Sequence, residues 1–188
     1  MKIFISGGCK NGKSSHAQRF AKQMQNGCQL YYLATMIPKD GEDEARIIAH
    51  QKEREGWGFK TVEIPGNLLG ALAKCEPDGS FLLDSVTALL ENEMFLPDGS
   101  VSTDAHIKLS EDLIWAVGML RNIVIVSDYI YSDAIAYDEL VEQYKKNLAY
   151  IDRRLASVCD VVLEGCCGQL IIHKGKDIFN EEGLNNAV

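Results

Sequence analysis

The clearest chemical signal in the chain lies at residues 7–14, which read Gly-Gly-Cys-Lys-Asn-Gly-Lys-Ser. This order matches the phosphate-binding P-loop pattern and stands between a predicted strand and a predicted helix, as that pattern requires. The pattern predicts binding of a purine nucleoside triphosphate, GTP or ATP, with Mg²⁺. The predicted nucleotide-binding residues here are Gly7, Gly8, Cys9, Lys10, Asn11, Gly12, Lys13 and Ser14. Lys13 is placed to span the β- and γ-phosphates, and the Ser14 hydroxyl is a magnesium ligand.

A carboxylate at the end of a later strand is the predicted partner of this loop. Residues 80–84 read Ser-Phe-Leu-Leu-Asp, an apolar strand that ends in Asp84. An acid at a strand tip beside a P-loop can hold Mg²⁺ directly or through water. Asp84 could also cap the helix that follows, and the two roles can coexist. Ser14 and Asp84 are therefore the predicted magnesium ligands.

A cationic helix face supplies a candidate nucleophile. Arg46, His50 and Arg54 follow one another at intervals of four residues, so they project from one side of a helix. Two arginines would suit triphosphate oxygens, and a neutral imidazole nitrogen between them can attack a phosphorus atom. A solvated, charged helix face gives the same pattern. The residues alone leave both interpretations open.

The elements that must position these groups alternate along the chain as strand and helix. Strands are predicted at residues 2–6, 30–35, 60–64, 80–84, 122–127, 160–164 and 169–173. Helices are predicted at residues 13–24, 43–55, 67–74, 85–95, 104–120 and 138–158, followed by a polar tail. The pattern indicates an α/β, P-loop NTPase-like fold with a mostly parallel sheet, helices on both faces and an antiparallel edge hairpin. Gly7, Thr35, Asp84 and Ser127 then meet at one edge, where such sheets bind ligands.

Length, net charge and composition limit the kinds of protein that this chain can be. A length of 188 residues predicts a single nucleotide-binding domain over residues 1–188. The net charge of -8 argues against nucleic acid as a partner. No apolar run is long enough for a membrane span or a signal peptide core, which predicts a cytoplasmic protein. The six cysteines lack zinc-site spacing and are expected to be reduced thiols.

The order of these motifs resembles one enzyme family. Gly-Gly-x-x-x-Gly-Lys-Ser-x-x-Ala at residues 7–17 is followed by Tyr-x-Ala-Thr at 32–35, Arg-Ile-x-x-His at 46–50 and Leu-Leu-Asp-x-x-Thr at 82–87. This succession is similar to the bifunctional adenosylcobinamide kinase / adenosylcobinamide-phosphate guanylyltransferase family. The resemblance covers roughly the first half of the chain, and the combination is much narrower than a P-loop alone.

The resemblance implies a two-step enzyme of cobalamin nucleotide-loop assembly with a corrinoid substrate. It would phosphorylate the aminopropanol hydroxyl of adenosylcobinamide and then transfer GMP from GTP onto that phosphate through a guanylylated histidine, here His50. Lys13 and His50 would be the catalytic residues. The same carry-over adds nucleotide-binding residues beyond the P-loop, namely Ala34, Thr35, Met36, Gln51, Lys52, Glu53, Arg54, Glu63 and Asp84. The family is associated with ring-like homotrimers, so the resemblance also implies a homo-oligomer.

The second half departs from the family pattern. An Asn-Glu-Val-Gly segment is expected after the fifth strand, but residues 127–133 read Ser-Asp-Tyr-Ile-Tyr-Ser-Asp. An Asn-Gln pair is expected in the last long helix, but residues 151–155 read Ile-Asp-Arg-Arg-Leu. Tyr129, Tyr131 and Asp133 could replace the first segment, or they could form an ordinary aromatic-lined loop.

Two other functions fit the sequence. One is a P-loop small-molecule kinase that makes no guanylyl adduct and would survive loss of His50. The other is a nucleotide-regulated binding module that hydrolyses slowly and signals to a partner. The products formed from GTP, Mg²⁺ and cobinamide would separate all three.

Overall fold

The computed structural model describes residues 1–131, 133, 135–181 and 183–184, and for Arg46 its backbone. Within these residues the chain forms one sheet in the order β3-β2-β4-β5-β1-β6-β7. Every neighbouring pair is parallel except β6 and β7, which are antiparallel. The strands are β1 (Lys2–Gly7), β2 (Leu30–Ala34), β3 (Phe59–Glu63), β4 (Ser80–Asp84), β5 (Asn122–Asp128), β6 (Val161–Cys166) and β7 (Gln169–Lys174). The predicted mostly parallel sheet with an antiparallel edge hairpin is confirmed.

Helices cover both faces of this sheet. They are α1 (Lys13–Gln23), α2 (Gly41–Glu53), α3 (Leu68–Leu72), α4 (Val86–Met94), α5 (Ala105–Met119), α6 (Glu139–Val158) and α7 (Lys176–Glu181). In β1, Ile3 and Ile5 point into a core shared with α1, whereas Phe4 points into a second core that contains α4, α5 and α6. Both faces of the central strands are buried, and this explains why they are apolar almost throughout.

The carboxyl ends of the parallel strands meet at one edge of the sheet. Gly7 pairs with Asp128, and Ala34 pairs with Asp84. Ser6 stands between Ser127 on one side and Glu164 on the other. The predicted convergence of strand ends on a single edge is therefore confirmed, and the P-loop begins at the centre of that edge.

The carboxyl terminus differs from the predicted polar tail. Residues 176–181 form α7, and Phe179 is buried against Phe20 of α1 with ring centroids 5.4 Å apart. A helix of six residues is too short to show a hydrophobic period, and tertiary packing rather than intrinsic propensity stabilises it. The expectation of a simple tail was wrong.

Among the residues that the structure describes, none of the helices combines the length and the apolar character needed to cross a membrane.

Candidate nucleotide site

The P-loop has a backbone conformation that its glycines make accessible. Gly12 has a φ of 85° and precedes the first turn of α1. A side chain at Gly7 would place its Cβ 2.7 Å from the carbonyl oxygen of Gly165, so only glycine fits there. Asn11 bridges the loop, because its Nδ2 donates to the Gly165 oxygen at 2.6 Å and its Oδ1 accepts from the backbone of Lys13 at 3.2 Å. The loop is thus anchored to β6 and opens onto the amino terminus of α1.

Lys13 is buried beneath the loop and makes two polar contacts. Its ammonium group donates to the Gly8 carbonyl oxygen at 2.9 Å and forms an ion pair with Asp128. Asp128 ends β5, directly beside the start of the P-loop. The backbone N–H of Asp128 in turn donates to the Thr87 hydroxyl at 2.8 Å. A carboxylate therefore lies at the point where the lysine would meet phosphate oxygens.

Asp128 is a functional candidate that the sequence prediction missed. Two signals pointed to it: an acid ends a strongly β-branched strand, and it stands where the family pattern expects the glutamate of Asn-Glu-Val-Gly. The departure in that segment therefore keeps a carboxylate at its second position. Thr87, the last residue of the Leu-Leu-Asp-x-x-Thr motif, holds the backbone of this acid in place.

Asp84 lies at the end of β4 and belongs to a chain of three side chains. Tyr32 donates its hydroxyl hydrogen to Asp84 Oδ2 at 3.0 Å. The guanidinium of Arg54 lies 3.9 Å from the centroid of the Tyr32 ring, a cation–π contact. Burial and the neighbouring Asp84 carboxylate raise the pKa of Tyr32, so the phenol stays protonated and keeps donating. This arrangement orients the Asp84 carboxyl group, and Arg54 is already engaged rather than free on a helix face.

Ser85, the residue that follows Asp84, is the N-cap of helix α4. Ser85 Oγ accepts from the backbone N–H of Ala88 at 3.3 Å, so Ser85 caps α4 and Asp84 does not. Thr35 is fully buried, and its hydroxyl donates to the Ser85 carbonyl oxygen and accepts from the Ser85 N–H. Thr35 thereby fixes the turn after β4. Ala34 and Met36 flank it at the same sheet edge.

Helix α2 carries His50 between the P-loop and the Asp84 cluster. At its first turn, Glu42 accepts from the ammonium of Lys10 in the P-loop at 3.2 Å. His50 follows eight residues later, or about 12 Å along the helix axis. Its side chain is 31% exposed, and its Nδ1 is buried 3.6 Å from Glu53 Oε2, which is too long for a hydrogen bond. Nδ1 is therefore shielded from a ligand in this structure.

Five other predicted residues have different surroundings. Gln51, Lys52 and Glu53 are exposed on the last turn of α2, and Glu63 is exposed at the end of β3. The side chain of Arg46 lies outside the described part of the chain, so the predicted cationic triplet is described only at His50 and Arg54. The latter stacks on Tyr32.

The segment that departs from the family pattern forms its own polar contacts. Tyr129 donates to Glu164 Oε1 at 3.2 Å, and Tyr131 donates to Asp152 Oδ2 at 2.9 Å. Asp133 forms an ion pair with Lys145 of α6 at 2.9 Å. Ser132 lies outside the described residues. An open cavity of about 500 Å³ lies beside this segment, lined by residues that include Tyr131, Asp133 and Lys145.

A comparison with protein families identifies the family of this chain. The model of the family described as "Cobinamide kinase / cobinamide phosphate guanyltransferase" matches residues 3–172. The chain belongs to this family. The match runs through residues 127–155, so the departure in that segment does not take the second half out of the family. The family match confirms that the chain is an enzyme of the kinase and nucleotidyltransferase class.

Two curated relatives carry the name "Bifunctional adenosylcobalamin biosynthesis protein CobU". The protein from Salmonella typhimurium is 23% identical over 173 residues, which cover 86% of this chain and 93% of that protein. The protein from Escherichia coli is 34% identical over 106 residues, which cover 55% of this chain and 56% of that protein. The family assignment and these relatives agree.

A solved structure supports the fold alone. It is an ATPase domain with a TM-score of 0.50 at 14% sequence identity, and the alignment covers 94% of this chain and 77% of that one. This likeness agrees with the predicted P-loop NTPase-like fold. The family match, and not this likeness, supports a nucleotide as substrate.

Proposed function

We propose that this family member phosphorylates the aminopropanol hydroxyl of adenosylcobinamide and then transfers GMP from GTP onto the phosphate through a guanylylated His50. The observation that carries the proposal is the path of α2. The helix starts at the P-loop through Lys10 and Glu42, and ends over the Asp84 cluster through Arg54. We infer that a movement of α2 would bring a histidine on that path to a triphosphate held by the loop. The corresponding pathway is cobalamin nucleotide-loop assembly, in the cytoplasm.

The triphosphate would be held by the P-loop amides and the amino terminus of α1. Lys13 would exchange Asp128 for β- and γ-phosphate oxygens. The Ser14 hydroxyl and the Asp84 carboxylate are oxygen ligands of the kind Mg²⁺ prefers, and Mg²⁺ would neutralise charge on the phosphates. Among the nucleotide-binding residues proposed beyond the loop, Ala34, Thr35 and Met36 lie at the strand edge, and Gln51, Lys52, Glu53, Arg54 and Glu63 lie towards α2 and β3.

The kinase step requires mainly positioning. The acceptor hydroxyl oxygen attacks the γ-phosphorus, the bond to the β-phosphate oxygen breaks, and a nucleoside diphosphate leaves. Asp128 is the carboxylate nearest to Lys13 in this structure, so we assign it the hydroxyl proton. Lys13 stabilises the charge on the leaving phosphate oxygen. We place the acceptor beside Tyr131 and the cavity next to it.

The guanylyl step uses a different phosphorus atom of GTP. His50 Nε2 attacks the α-phosphorus, a P–N bond forms, and pyrophosphate leaves. A phosphate oxygen of the phosphorylated corrinoid then attacks the same phosphorus, the P–N bond breaks, and His50 is released as neutral imidazole. The product carries GMP in a new P–O–P linkage. The neutral histidine must therefore reach the α-phosphate, whereas the kinase acceptor reaches the γ-phosphate.

The test separates the two steps. The protein is incubated with α-³²P-labelled GTP and Mg²⁺, and the acid-labile, base-stable adduct is mapped by mass spectrometry. We expect one adduct, on His50. In His50→Asn the adduct and guanylyl transfer should disappear, while phosphorylation of cobinamide stays within about threefold of the unmodified protein, because kinase transfer does not use the imidazole.

A matched control is His106→Asn. His106 lies on α5, where its ring packs against Tyr150. This variant should keep both activities. Cobinamide phosphate as the sole product of the unmodified protein would favour the alternative, a P-loop small-molecule kinase without guanylyltransferase activity. Unchanged corrinoid would favour a nucleotide-regulated binding module.

We also propose a homo-oligomer, a trimer by family resemblance. An apolar stripe on α5 supports this, since Ile107, Trp115 and Met119 share one helix face and are 45%, 49% and 54% exposed. Light scattering after size exclusion should give three times the 20.9 kDa chain mass. A single-chain mass at micromolar concentration would contradict it.

A further inference from the structure

A buried carboxyl group lies behind the end of β5 and takes no part in the proposed steps. Asp152 of α6 is 3% exposed. Its Oδ2 accepts from the Ser127 hydroxyl at 3.0 Å and from the Tyr131 hydroxyl at 2.9 Å. Its Oδ1 is buried and has no hydrogen-bond partner within the described residues. An ionised carboxylate is costly in such a place, whereas a neutral carboxyl is tolerated far better.

The groups around Asp152 do not supply a compensating positive charge. Asp128, at the end of β5, is the charged group that acts on it, and its negative charge disfavours ionisation. From β1, the Ser6 hydroxyl faces Tyr131, which is one of the two side chains that donate to Asp152. On α6 itself, Tyr144 donates to the Thr87 carbonyl oxygen.

Two cationic side chains follow Asp152 directly on α6, and the first of them, Arg153, is exposed. Arg154 donates to Ser110 Oγ of α5 at 2.8 Å, and among the described residues Asp152 forms no ion pair. Burial raises the pKa of Asp152 to about 7; the hydrogen bonds from Ser127 and Tyr131 lower it, and Asp128 raises it further. Geometry and charge therefore both favour the protonated form.

We propose that Asp152 is a positioning residue that works in its protonated form, holding the end of β5 through Ser127 and Tyr131 so that Asp128 stays at the start of the P-loop, opposite Gly7. Ser127 and Asp128 are successive residues of β5, so they point to opposite faces. The side chain of Ser127 is tied to α6, and the backbone of Asp128 is tied to Thr87. Loss of the Asp152 proton would place a second negative charge behind Asp128 and loosen this end of the strand.

The first test is the pH dependence of the kinase step, so this part rests on the proposed function. Activity, as kcat/KM for the corrinoid alcohol, should fall as Asp152 loses its proton, with a midpoint near pH 7. Asp152→Asn has the same shape and is neutral at every pH. It should match the unmodified protein within about threefold at pH 6 and lose the decline above pH 7. An unchanged decline in Asp152→Asn would overturn the proposal.

A second variant tests the direction of the shift. Tyr131 donates to the carboxylate and stabilises its ionised form. Tyr131→Phe should therefore move the decline to higher pH, even though it removes a hydrogen bond. The matched control is Tyr150→Phe, which lies two residues from Asp152 on α6 and packs against His106. It should leave the profile unchanged, and an equal shift in both variants would contradict the assignment.

Thermal unfolding without nucleotide tests the same carboxyl group independently of activity. A group whose pKa is higher in the folded protein stabilises it at low pH, and that contribution is lost as pH rises through the folded value. Tm of the unmodified protein should therefore fall relative to Asp152→Asn as pH rises from about 4, the ordinary carboxyl pKa, to about 7, and the difference should change little above that. Parallel Tm curves would overturn the proposal. If no corrinoid is phosphorylated at any pH, the proposed function fails, and these curves alone decide about Asp152.

Discussion

The ion pair between Lys13 and Asp128 determines how the empty P-loop is stabilised. A buried ammonium group requires acceptors, and here they are the Asp128 carboxylate and the Gly8 carbonyl oxygen. A bound triphosphate would offer the same lysine stronger, charged acceptors. Asp128 therefore competes with the nucleotide for Lys13, and once released it is a free carboxylate at the γ-phosphate end of the site.

This competition gives the two partners opposite effects on nucleotide binding. Lys13→Met should weaken GTP binding at least tenfold, because the charge that spans the phosphates is lost. Asp128→Asn should bind GTP as tightly as the unmodified protein or more tightly, and its kinase kcat should fall by about 10²- to 10⁴-fold if it takes the hydroxyl proton. Calorimetric titration and steady-state kinetics measure the two quantities.

A control variant removes a carboxylate elsewhere. Asp98 lies in a turn, and its described hydrogen bonds all come from Ser100. Asp98→Asn should therefore change neither the affinity for GTP nor the kinase kcat. Weaker GTP binding in Asp128→Asn would mean that the ion pair organises the loop for the nucleotide rather than competing with it.

The residues of the site differ in how far the sequence could predict them. The P-loop was predictable because its conformation depends on local spacing, as the positive φ of Gly12 shows. Asp128 and Tyr32 were missed because their roles depend on partners 115 and 52 residues away along the chain, Lys13 and Asp84. Such contacts follow from strand order and register, which no local pattern records.

At the scale of elements, α2 is attached to the sheet edge unequally at its two ends. Its amino-terminal end is held by exposed ion pairs, Lys10 with Glu42 and, just before the helix, Lys39 with Glu91. Exposed pairs of this kind are worth little. Its carboxyl-terminal end is held by the buried Arg54, which stacks on Tyr32. Any movement that brings His50 to the α-phosphate should therefore pivot about Arg54.

Removing that pivot should loosen the helix. Arg54→Ala loses the cation–π contact and the packing of the side-chain stem, and it should lower the free energy of unfolding by about 1–3 kcal/mol. Amide hydrogen exchange should become faster along α2 but not along α1. Denaturant unfolding and exchange mass spectrometry make the measurement.

Lys52→Ala is the matched control on the same turn. Lys52 is exposed, so its truncation should change the free energy of unfolding by less than about 0.5 kcal/mol. If Arg54→Ala matches this control in both measurements, α2 is held by other contacts and the inference that it pivots about Arg54 is wrong.

The elements themselves were predicted with small errors at their ends. Strand β4 was predicted residue for residue, and α2 begins two residues earlier than expected because Asp40 caps it, accepting from Glu42 and Asp43. Asp40 precedes an acidic first turn, a pattern typical of a helix start. Helix α7 was missed because the information that stabilises it is in the core of the fold and not in its six residues.

At the scale of the whole molecule, the sheet separates two hydrophobic cores, and more helices cover one core than the other. The core on one face is covered by α3, α4, α5 and α6. The other face, which contains Ile3, Ile5 and Phe20, is covered by α1 and completed by Phe179 and Leu184 from the last described residues. The carboxyl terminus is thus part of the surface that supports the P-loop helix.

The contribution of α7 to the free energy of unfolding can be measured at Phe179. Phe179 is 1% exposed and meets Phe20 edge to face, whereas the adjacent Ile178 is 42% exposed. Phe179→Ala should lower the free energy of unfolding by about 3–5 kcal/mol, because it leaves a cavity against α1. Ile178→Ala, the control one residue away, should cost less than about 1 kcal/mol. If denaturant unfolding gives equal values, α7 is not part of the core. If Phe179→Ala alone is destabilised and GTP binding also weakens, the packing of α1 transmits the loss to the P-loop at its amino terminus.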